Sequence, residues 1–457
     1  MSIASRFLML WVFFLLPTLL HRGVTKAARS DFVAREVTAN SSIVLQAVLY
    51  VSSYAGYIDT IALFQDHRGK FNLKLIATNH ASVSPSCLLW DAQHGNLYDI
   101  DEYSTPGKVI SLRVQQNRTL RQLHQFSNVN GGVSGAFYTD AQGRQSNRAL
   151  AIADYEGSAL STFTLEQGGG GMLFPSQNFT FSYAQDDEDA GEDLLSSQND
   201  TFALHRPAPA TSLASAISPT NKQDAPHPHN VVVDPKGLYL LVPDLGSDLL
   251  RMFGIAADSI KLEELPPFAV DYGSGPRHAL FFTSNGSTWL YLVSEIACTI
   301  TAYYVEYPVN NHYPLLFIEV YKSSTVGPGR VAPNGTAAAE IAIQGDKVYI
   351  SNRGDGSFGP TNDSISIFSI NGTDGTLHFD GLHPAFGYAP RYFNFNKHGD
   401  LMALGVFQKH ESGCKLHQEA ILVLVERDVE TGKLCSAPVA SLALGVPDQV
   451  TWIVWDE

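Results

Sequence analysis

The chain has 457 residues, of which 44% are hydrophobic, and it carries a net charge of −15. This composition supplies a large core, whereas the 30 lysines and arginines are too few and too dispersed to form a face that binds nucleic acid. The length alone would suggest about three domains of ordinary size, but the repeats described below indicate a single domain.

The first 28 residues have the layout of a secretory signal peptide. Arg6 precedes an apolar run over 7–20, and the small residues Ala27 and Ala28 follow. The apolar run is too short to span a bilayer comfortably. A buried N-terminal segment is the alternative, but the run neither alternates like a strand nor carries a helix cap. The sequence therefore predicts a secreted chain that has no membrane segment once the leader is removed.

Asn-x-Ser/Thr sequons recur along the chain. This many sequons behind a leader is typical of a glycosylated extracellular protein. The eight predicted glycosylation sites are Asn40, Asn117, Asn178, Asn199, Asn285, Asn334, Asn362 and Asn371.

Four cysteines could form disulfides, and sequence alone leaves all three possible pairings open. Cys414 and Cys435 are the favoured pair because they bracket one predicted strand hairpin. Cys87 and Cys298 lie inside apolar runs and are predicted to be buried thiols. None of the four has the spacing of a zinc site.

A β-meander recurs from about residue 48 onward. Its clearest copy, over 227–253, reads HPHNVVVDPKGLYLLVPDLGSDLLRMF, in which three short β-rich runs are separated by Asp, Pro and Gly turns. Each copy has a Pro or small residue, an inner strand and a turn ending in Gly. Copies begin at Pro85, Val133, Pro228, Pro276, Ala337 and Pro390.

A period near 50 residues with about four strands per unit predicts an all-β, seven-bladed β-propeller. Six full units and an incomplete first one make seven. The last strand, over 450–455, has no unit of its own, so we expect it to complete the first blade and close the ring. The propeller is predicted to occupy 29–457, interrupted at about 168–225 by an acidic, proline-rich insertion. That insertion is interpreted as the outer strand of one blade followed by a disordered loop.

The start of each inner strand and the end of the second strand lie at the same end of an antiparallel hairpin. Charged residues gather at these positions, which places them around one axial mouth. The structural alternative is that Arg277 pairs with Asp244 or Glu295 to tie neighbouring blades. The adjacent His278 is interpreted as a packing residue. The inner-strand positions are Ser86, His229, Arg277 and Arg391, and the second-strand ends are Asp154, Asp244, Glu295 and Arg353.

Four short motifs resemble those of the lactonase seven-bladed propeller family, which includes bacterial 6-phosphogluconolactonases and fungal carboxy-cis,cis-muconate lactonizing enzymes. They are PHNVVVDP with His229, GSGPRH with Arg277, LVSEI with Glu295 and ISNRGDGS with Arg353. The resemblance implies that these four residues form the active site. The leader, the sequons and the acidic insertion depart from the well-known intracellular members.

Two reactions suit this catalytic set. In lactone hydrolysis, Glu295 would activate water, Arg277 and Arg353 would hold a substrate anion and the developing oxyanion, and His229 would protonate the leaving oxygen. In a muconate-type cycloisomerase, the arginines would clamp carboxylates while His229 or Glu295 moves a proton. Both reactions imply a small anionic organic substrate.

The remaining predictions concern substrate-binding residues, cofactors and metals, and the alternative to catalysis. Asp244 and Arg391 are predicted to bind substrate. No cofactor or metal is predicted, because the glycines at 168–171 are not followed by a phosphate-loop Lys-Ser/Thr. A secreted, non-catalytic propeller glycoprotein is the alternative from a different functional class.

Overall fold

The computed structural model describes residues 43–183, 221–412 and 415–457. The predicted signal peptide lies outside these ranges, as do the sequons at Asn40 and Asn199 and the cysteine Cys414. No helix among the described residues is long and apolar enough to cross a membrane.

The described chain forms seven four-stranded antiparallel sheets, which confirms the predicted seven-bladed propeller. Blade 1 contains β1 (Val44–Ser53), β2 (Tyr57–Gln65) and β3 (Phe71–Asn79). Blade 2 contains β4 (Pro85–Asp91), β5 (Asn96–Asp101), β6 (Gly107–Val114) and β7 (Leu120–Asn128). Blade 3 contains β8 (Gly132–Thr139), β9 (Arg148–Asp154), β10 (Ala159–Leu165) and β11 (Leu173–Thr180).

The second half of the chain repeats the arrangement. Blade 4 contains β12 (Val232–Val233), β13 (Tyr239–Asp244), β14 (Leu249–Ile255) and β15 (Leu262–Ala269). Blade 5 contains β16 (Pro276–Ser284), β17 (Ser287–Ser294), β18 (Thr299–Glu306) and β19 (Leu316–Ser324). Blade 6 contains β20 (Ala337–Gln344), β21 (Lys347–Arg353), β22 (Ser364–Ile370) and β23 (Leu377–Pro384). Blade 7 contains β24 (Tyr388–Phe395), β25 (Leu401–Ser412), β26 (Lys415–Glu426) and β27 (Ala440–Ala443).

The final strand, β28 (Val450–Asp456), becomes the innermost strand of blade 1, which confirms the predicted closure. It pairs antiparallel with β1. Thr451 Oγ1 lies 2.8 Å from Ser52 Oγ in blade 1 and donates a 2.6 Å hydrogen bond to Pro85 O in blade 2. One strand therefore joins the two ends of the chain, and no central sheet edge is left open at this junction.

Burial follows the position of each strand within its blade. All six residues of β5 and of β13 are buried because second strands lie between two neighbouring blades and pack on both faces. Outer strands such as β7 and β19 are largely exposed. Apolar clusters fill the spaces between blades; one of them joins Leu241 of blade 4 to Leu290 of blade 5. Each fully buried side chain of this kind contributes roughly 1.5–3 kcal/mol.

Tight turns keep the meanders short. In the turn before β13, Gly237 has a φ of 67° and donates its N–H to Asp234 O at 2.9 Å. The Asp234 carboxylate also accepts the backbone N–H groups of Leu238 and Tyr239, at 2.6 Å each. Only glycine adopts this left-handed backbone without strain, so the Asp-Pro-Lys-Gly motif fixes where the strand reverses.

The insertion predicted at about 168–225 begins with an outer strand, as interpreted from the sequence, and this strand is β11 of blade 3. The end of the insertion forms a short 3-10 helix over Asn221–Gln223. Tyr183 Oη donates to Gln223 O at 3.2 Å and to Gly246 O at 2.7 Å, which fixes the two ends of the insertion against blade 4. Residues 184–220 lie outside the described ranges.

The predictions for the cysteines have different outcomes. Cys87 and Cys298 are buried thiols, as predicted. The Cys414–Cys435 pairing stays a prediction, because Cys414 lies outside the described residues. Cys435 is exposed, and its backbone N–H donates to Glu426 O at 2.9 Å.

Candidate active site

The site is built from residues of all seven blades. Cavity-lining residues come from the first position after the second strand in blades 1 to 5, from the end of the second strand β21 in blade 6 and from the inner strand β24 in blade 7. Because every blade contributes, the cavity lies on the propeller axis. This axial cavity has a volume of about 250 Å³ and is lined by Tyr54, Glu102, Tyr103, Val133, Tyr155, Glu156, Lys222, His229, Leu245, Glu295, Arg353 and Arg391.

Glu295, directly after β17, is the centre of an ion cluster. Arg277 Nε lies 2.8 Å and Arg353 Nη2 lies 2.7 Å from Glu295 Oε2, while Lys222 Nζ contacts Oε1. Burial opposes ionisation of Glu295, but the charges of Arg353, Arg277 and Lys222 outweigh it and hold the pKa of this carboxyl well below its usual range. Glu295 is therefore ionised near neutral pH and is a weak base.

Arg277 lies beneath the cavity. Its side chain is buried, and its Nη1 donates to Ala339 O of blade 6 at 2.7 Å. Its Nε forms the ion pair with Glu295 but makes no hydrogen bond, because the N–H does not point at an acceptor. Burial and the nearby charge of Arg353 lower the pKa of Arg277 to about 10, which leaves it charged at neutral pH. Arg277 therefore pairs with Glu295 within blade 5, and its hydrogen bond to Ala339 O links blade 5 to blade 6. The structural alternative raised from the sequence expected the ion pair itself to link neighbouring blades.

The position of Arg277 follows from a β-bulge. The register of β16 against β17 shifts between Pro276 and His278, so Arg277 has no partner on the neighbouring strand. Blade 2 shows the same shift between Pro85 and Cys87, on either side of Ser86. Bulges re-aim the side chain of the extra residue, and here they aim it toward the axis.

His229, just before β12, lines the cavity with a ring that has no hydrogen bond among the described residues. The ring lies edge-on to Tyr155, with centroids 5.8 Å apart, and 5.2 Å from His278. Burial, followed by the charges of Arg277 and His278, lowers the pKa of His229 well below its usual value. The imidazole is therefore neutral near pH 7 and can accept a proton.

Arg391 and Arg353 are the guanidinium groups that face the cavity. Arg353 is committed to Glu295, whereas Arg391 has no ion pair within the described ranges and lies over the Tyr54 ring at 5.0 Å. Burial disfavours its charge, but Tyr54, Glu102 and Glu295 outweigh burial and raise the pKa of Arg391. This cation is available to an anionic ligand.

Eight of the twelve lining residues were not predicted as site residues, and Tyr155 and Lys222 are two of them. Tyr155 follows Asp154 and stacks on His227 at 4.1 Å. Lys222 stands on the 3-10 helix at the end of the insertion, and nothing in its local pattern indicated that it reaches Glu295 in another blade. The position of Tyr155 in the repeat could have been recognised as equivalent to Glu295, but the position of Lys222 could not.

Asp244 is not brought into the cavity, contrary to its predicted role in binding substrate. It is fully buried, accepts the backbone N–H groups of His227 at 2.7 Å and Ser247 at 3.1 Å, and pairs with Arg251 Nε at 2.8 Å. Its carboxylate therefore holds the turn between β13 and β14 together.

Asp154 and Ser86 also have structural roles. Asp154 accepts hydrogen bonds from Asn128 Nδ2 at 2.7 Å and Ser161 Oγ at 2.6 Å, and burial raises the pKa of its carboxyl. Ser86 Oγ donates to Gly132 O at 2.7 Å, which links blade 2 to blade 3. Neither residue lines the axial cavity.

His278 is more than a packing residue. Its Nδ1 lies 3.0 Å from Glu340 Oε1, and both side chains are buried. Glu340 Oε1 also accepts the N–H of Ile341 at 3.0 Å. The pair joins blade 5 to blade 6 close to His229. Among the described residues, no group of three or more His, Cys, Asp or Glu side chains has an arrangement that could hold a metal ion.

The chain is similar to known proteins in sequence and in fold. A relative in Formosa agariphila named 6-phosphogluconolactonase is 27% identical over 81% of this chain and 91% of its own length. One in Arthroderma benhamiae, named "Probable 6-phosphogluconolactonase", is 28% identical over 74% of each chain. The periplasmic gluconolactonase of Pseudomonas aeruginosa shares the fold, with a TM-score of 0.62 at 19% identity over 91% of this chain and 99% of that one. The model of the family described as Lactonase, 7-bladed beta-propeller matches residues 48–452, and the chain belongs to that family.

Proposed function

We propose that the axial cavity hydrolyses a small lactone. The observation that carries the proposal is that one cavity is lined by His229, a neutral imidazole whose Nδ1 has no hydrogen-bond partner among the described residues, and by Glu295, a carboxylate held ionised by three cations. The names of the relatives, 6-phosphogluconolactonase and gluconolactonase, support the same reaction class. A cavity of about 250 Å³ has room for a single sugar-sized ring.

The geometry favours different roles from those expected from the sequence. Both groups are unprotonated near neutral pH. Glu295 is paired with three cations, whereas His229 Nδ1 has no partner among the described residues, so His229 is assigned as the base. In the proposed reaction, His229 takes a proton from water while the water oxygen bonds to the lactone carbonyl carbon. Glu295 stabilises the resulting imidazolium, because its negative charge favours protonation of His229.

The second half of the reaction returns that proton. The tetrahedral oxyanion would be stabilised by Arg353, which faces the cavity. The bond between the carbonyl carbon and the ring oxygen then breaks, and the His229 imidazolium protonates the departing ring oxygen. One water is added in total, and the product is a hydroxy acid whose carboxyl group ionises.

The substrate is proposed to be anionic. Arg391 faces the cavity without an ion pair among the described residues, and burying such a cation has a cost that a ligand anion would offset. The predicted leader places this reaction outside the cell. Five of the six described sequons, at Asn117, Asn178, Asn285, Asn334 and Asn371, are exposed and open to glycosylation, whereas Asn362 is half-buried.

The experiment that tests this proposal is a pH-indicator assay of the secreted protein with γ- and δ-lactones and with muconates. We expect acid release from one or more lactones and a large loss in His229→Gln. Conversion of a muconate to a lactone would instead favour the cycloisomerase hypothesis. A lack of turnover with both substrate classes would favour the non-catalytic glycoprotein.

A further inference from the structure

Lys222 differs from the other cations of the site in the element that carries it and in the exposed fraction of its side chain. It comes from the 3-10 helix that follows the insertion, not from a blade strand. Its side chain is 38% exposed, compared with 16% for Arg353 and 3% for Arg277. Lysine also presents a single ammonium on a flexible stem, so it exchanges partners more easily than a guanidinium fork does.

The backbone that carries Lys222 is firmly anchored. Gln223 Nε2 donates to Leu245 O at 3.0 Å and to Asp248 Oδ1 at 2.9 Å, and Gln223 O accepts the hydroxyl of Tyr183. Asp224 Oδ1 lies 2.9 Å from His227 Nε2. The 3-10 helix is thus fixed to blade 4, and the freedom that remains belongs to the Lys222 side chain.

Glu295 does not require Lys222 for charge compensation. Its Oε2 already has two guanidinium partners, so Lys222 on Oε1 is a third positive charge on a single carboxylate. The ammonium is held less strongly than it would be by an otherwise unpaired carboxylate, because the two arginines reduce the local negative potential. Lys222 and Arg391 both line the cavity.

We propose that Lys222 is a specificity-determining residue that recognises an anionic substituent of the substrate, either phosphate or carboxylate. The ammonium leaves Glu295 Oε1 and pairs with this substituent, while Arg391 supplies a second positive charge. This inference rests on the proposed lactonase function and adds the residue that selects an anionic lactone over a neutral one of the same ring.

The test compares glucono-1,5-lactone, its 6-phosphate, and glucaro-1,4-lactone, which carries a carboxylate. The variants are Lys222→Gln, the charge-preserving Lys222→Arg, and Lys74→Gln as a control on an exposed lysine of β3 outside the cavity. We expect Lys222→Gln to raise KM about ten-fold for an anionic lactone, the size of one lost charged hydrogen bond. Because Lys222 also contacts Glu295, KM for the neutral lactone should change in Lys222→Gln by much less than KM for the anionic one. Lys222→Arg and Lys74→Gln should retain the wild-type preference.

The three lactones identify the anion: a loss confined to the 6-phosphate indicates phosphate, and one confined to glucaro-1,4-lactone indicates carboxylate. An equal rise in KM for all three, or no change, would overturn the inference. The thermal midpoint of each variant is measured alongside, so that a folding defect is recognised.

Calorimetric binding separates this inference from the proposed function. Gluconate and 6-phosphogluconate differ only in the phosphate, and glucarate has a second carboxylate. We expect wild type to bind one of the two more highly charged acids more tightly than gluconate and Lys222→Gln to lose that difference. If wild type hydrolyses no lactone but shows this pattern, the lactonase proposal fails and the anion site stands. Equal binding of all three acids by wild type, or no binding, would contradict the anion site.

Discussion

Asp244 and Glu295 are carboxylates at the ends of second strands in neighbouring blades, yet they belong to different environments. Asp244 is the last residue of β13 and bonds to the turn beneath it. Glu295 is the first residue beyond β17 and faces the axial cavity. Since side chains alternate between faces along a strand, one residue of displacement separates a structural carboxylate from a functional one.

The same pair of positions recurs in other blades. In blade 2, Asp101 accepts the backbone N–H groups of Val83 and Ser84, whereas the next residue, Glu102, lines the cavity. In blade 3, Asp154 accepts a hydrogen bond from Asn128, and the next residue, Tyr155, lines the cavity. The repeat thus has a structural position followed at once by a cavity position, and variants at the two should have separable effects.

The largest effect is expected at His229. His229→Gln removes the proposed base and should lower kcat/KM by about 10²–10⁴-fold with little change in thermal stability. His227→Gln is the matched control, since His227 contacts the same Tyr155 but does not line the cavity. Steady-state kinetics on the two variants checks this assignment, and equal losses would remove the basis for it.

Glu295→Gln should lower both activity and stability. It leaves the buried Arg277 without its ionic partner, which is expected to cost roughly 3 kcal/mol of unfolding free energy. It also removes the charge that stabilises the His229 imidazolium, so kcat should fall about 100-fold. Denaturant unfolding and kinetics at matched folded fraction measure the two effects. A variant that is destabilised but fully active would make Glu295 a structural carboxylate like Asp244.

Asp244→Asn should affect stability alone. The amide keeps one acceptor but weakens the bonds to two backbone N–H groups and to Arg251, a change of about 1–3 kcal/mol. Activity per folded molecule should match wild type, because Asp244 does not line the cavity. A loss of kcat in fully folded Asp244→Asn would contradict the distinction between the two positions.

The smallest effect concerns pH. His229 acts as the neutral base, so activity should be present above its pKa and fall as the pH drops through it. Because that pKa lies below the ordinary 6.5, the rate should stay level to a pH below 6.5 before it declines. Glu295, with a pKa held below 4.5, stays ionised over this range. A pH–rate profile with its acid limb at 6.5 or above would be inconsistent with a buried neutral His229.

The regular features of the fold were predictable because they are local. Turn motifs such as Asp-Pro-Lys-Gly at 234–237 fix where strands reverse, and their spacing predicted the seven blades. The strand at 450–455, which belongs to no repeat of its own, predicted the ring closure. The outer strand at the start of the insertion was also predicted, and it is β11.

It was harder to predict which residues of each strand face the cavity. The bulge at Arg277 and the one-residue step from Asp244 to Leu245 depend on how each strand pairs with its neighbour. Sequence placed Arg277 and Arg353 together as substrate clamps, but packing puts Arg277 beneath Glu295 and leaves Arg353 and Arg391 to face the cavity.

The repeat, the number of blades, the ring closure and the residue types available at the axis could all be predicted from the sequence, because turn chemistry and strand alternation act over a few neighbouring residues. Which charges pair depends on the closed fold. Lys222, Arg277, Glu295 and Arg353 come from distant parts of the chain, and their protonation states follow from burial and mutual distance. Those quantities exist only once the seven blades have closed around one cavity.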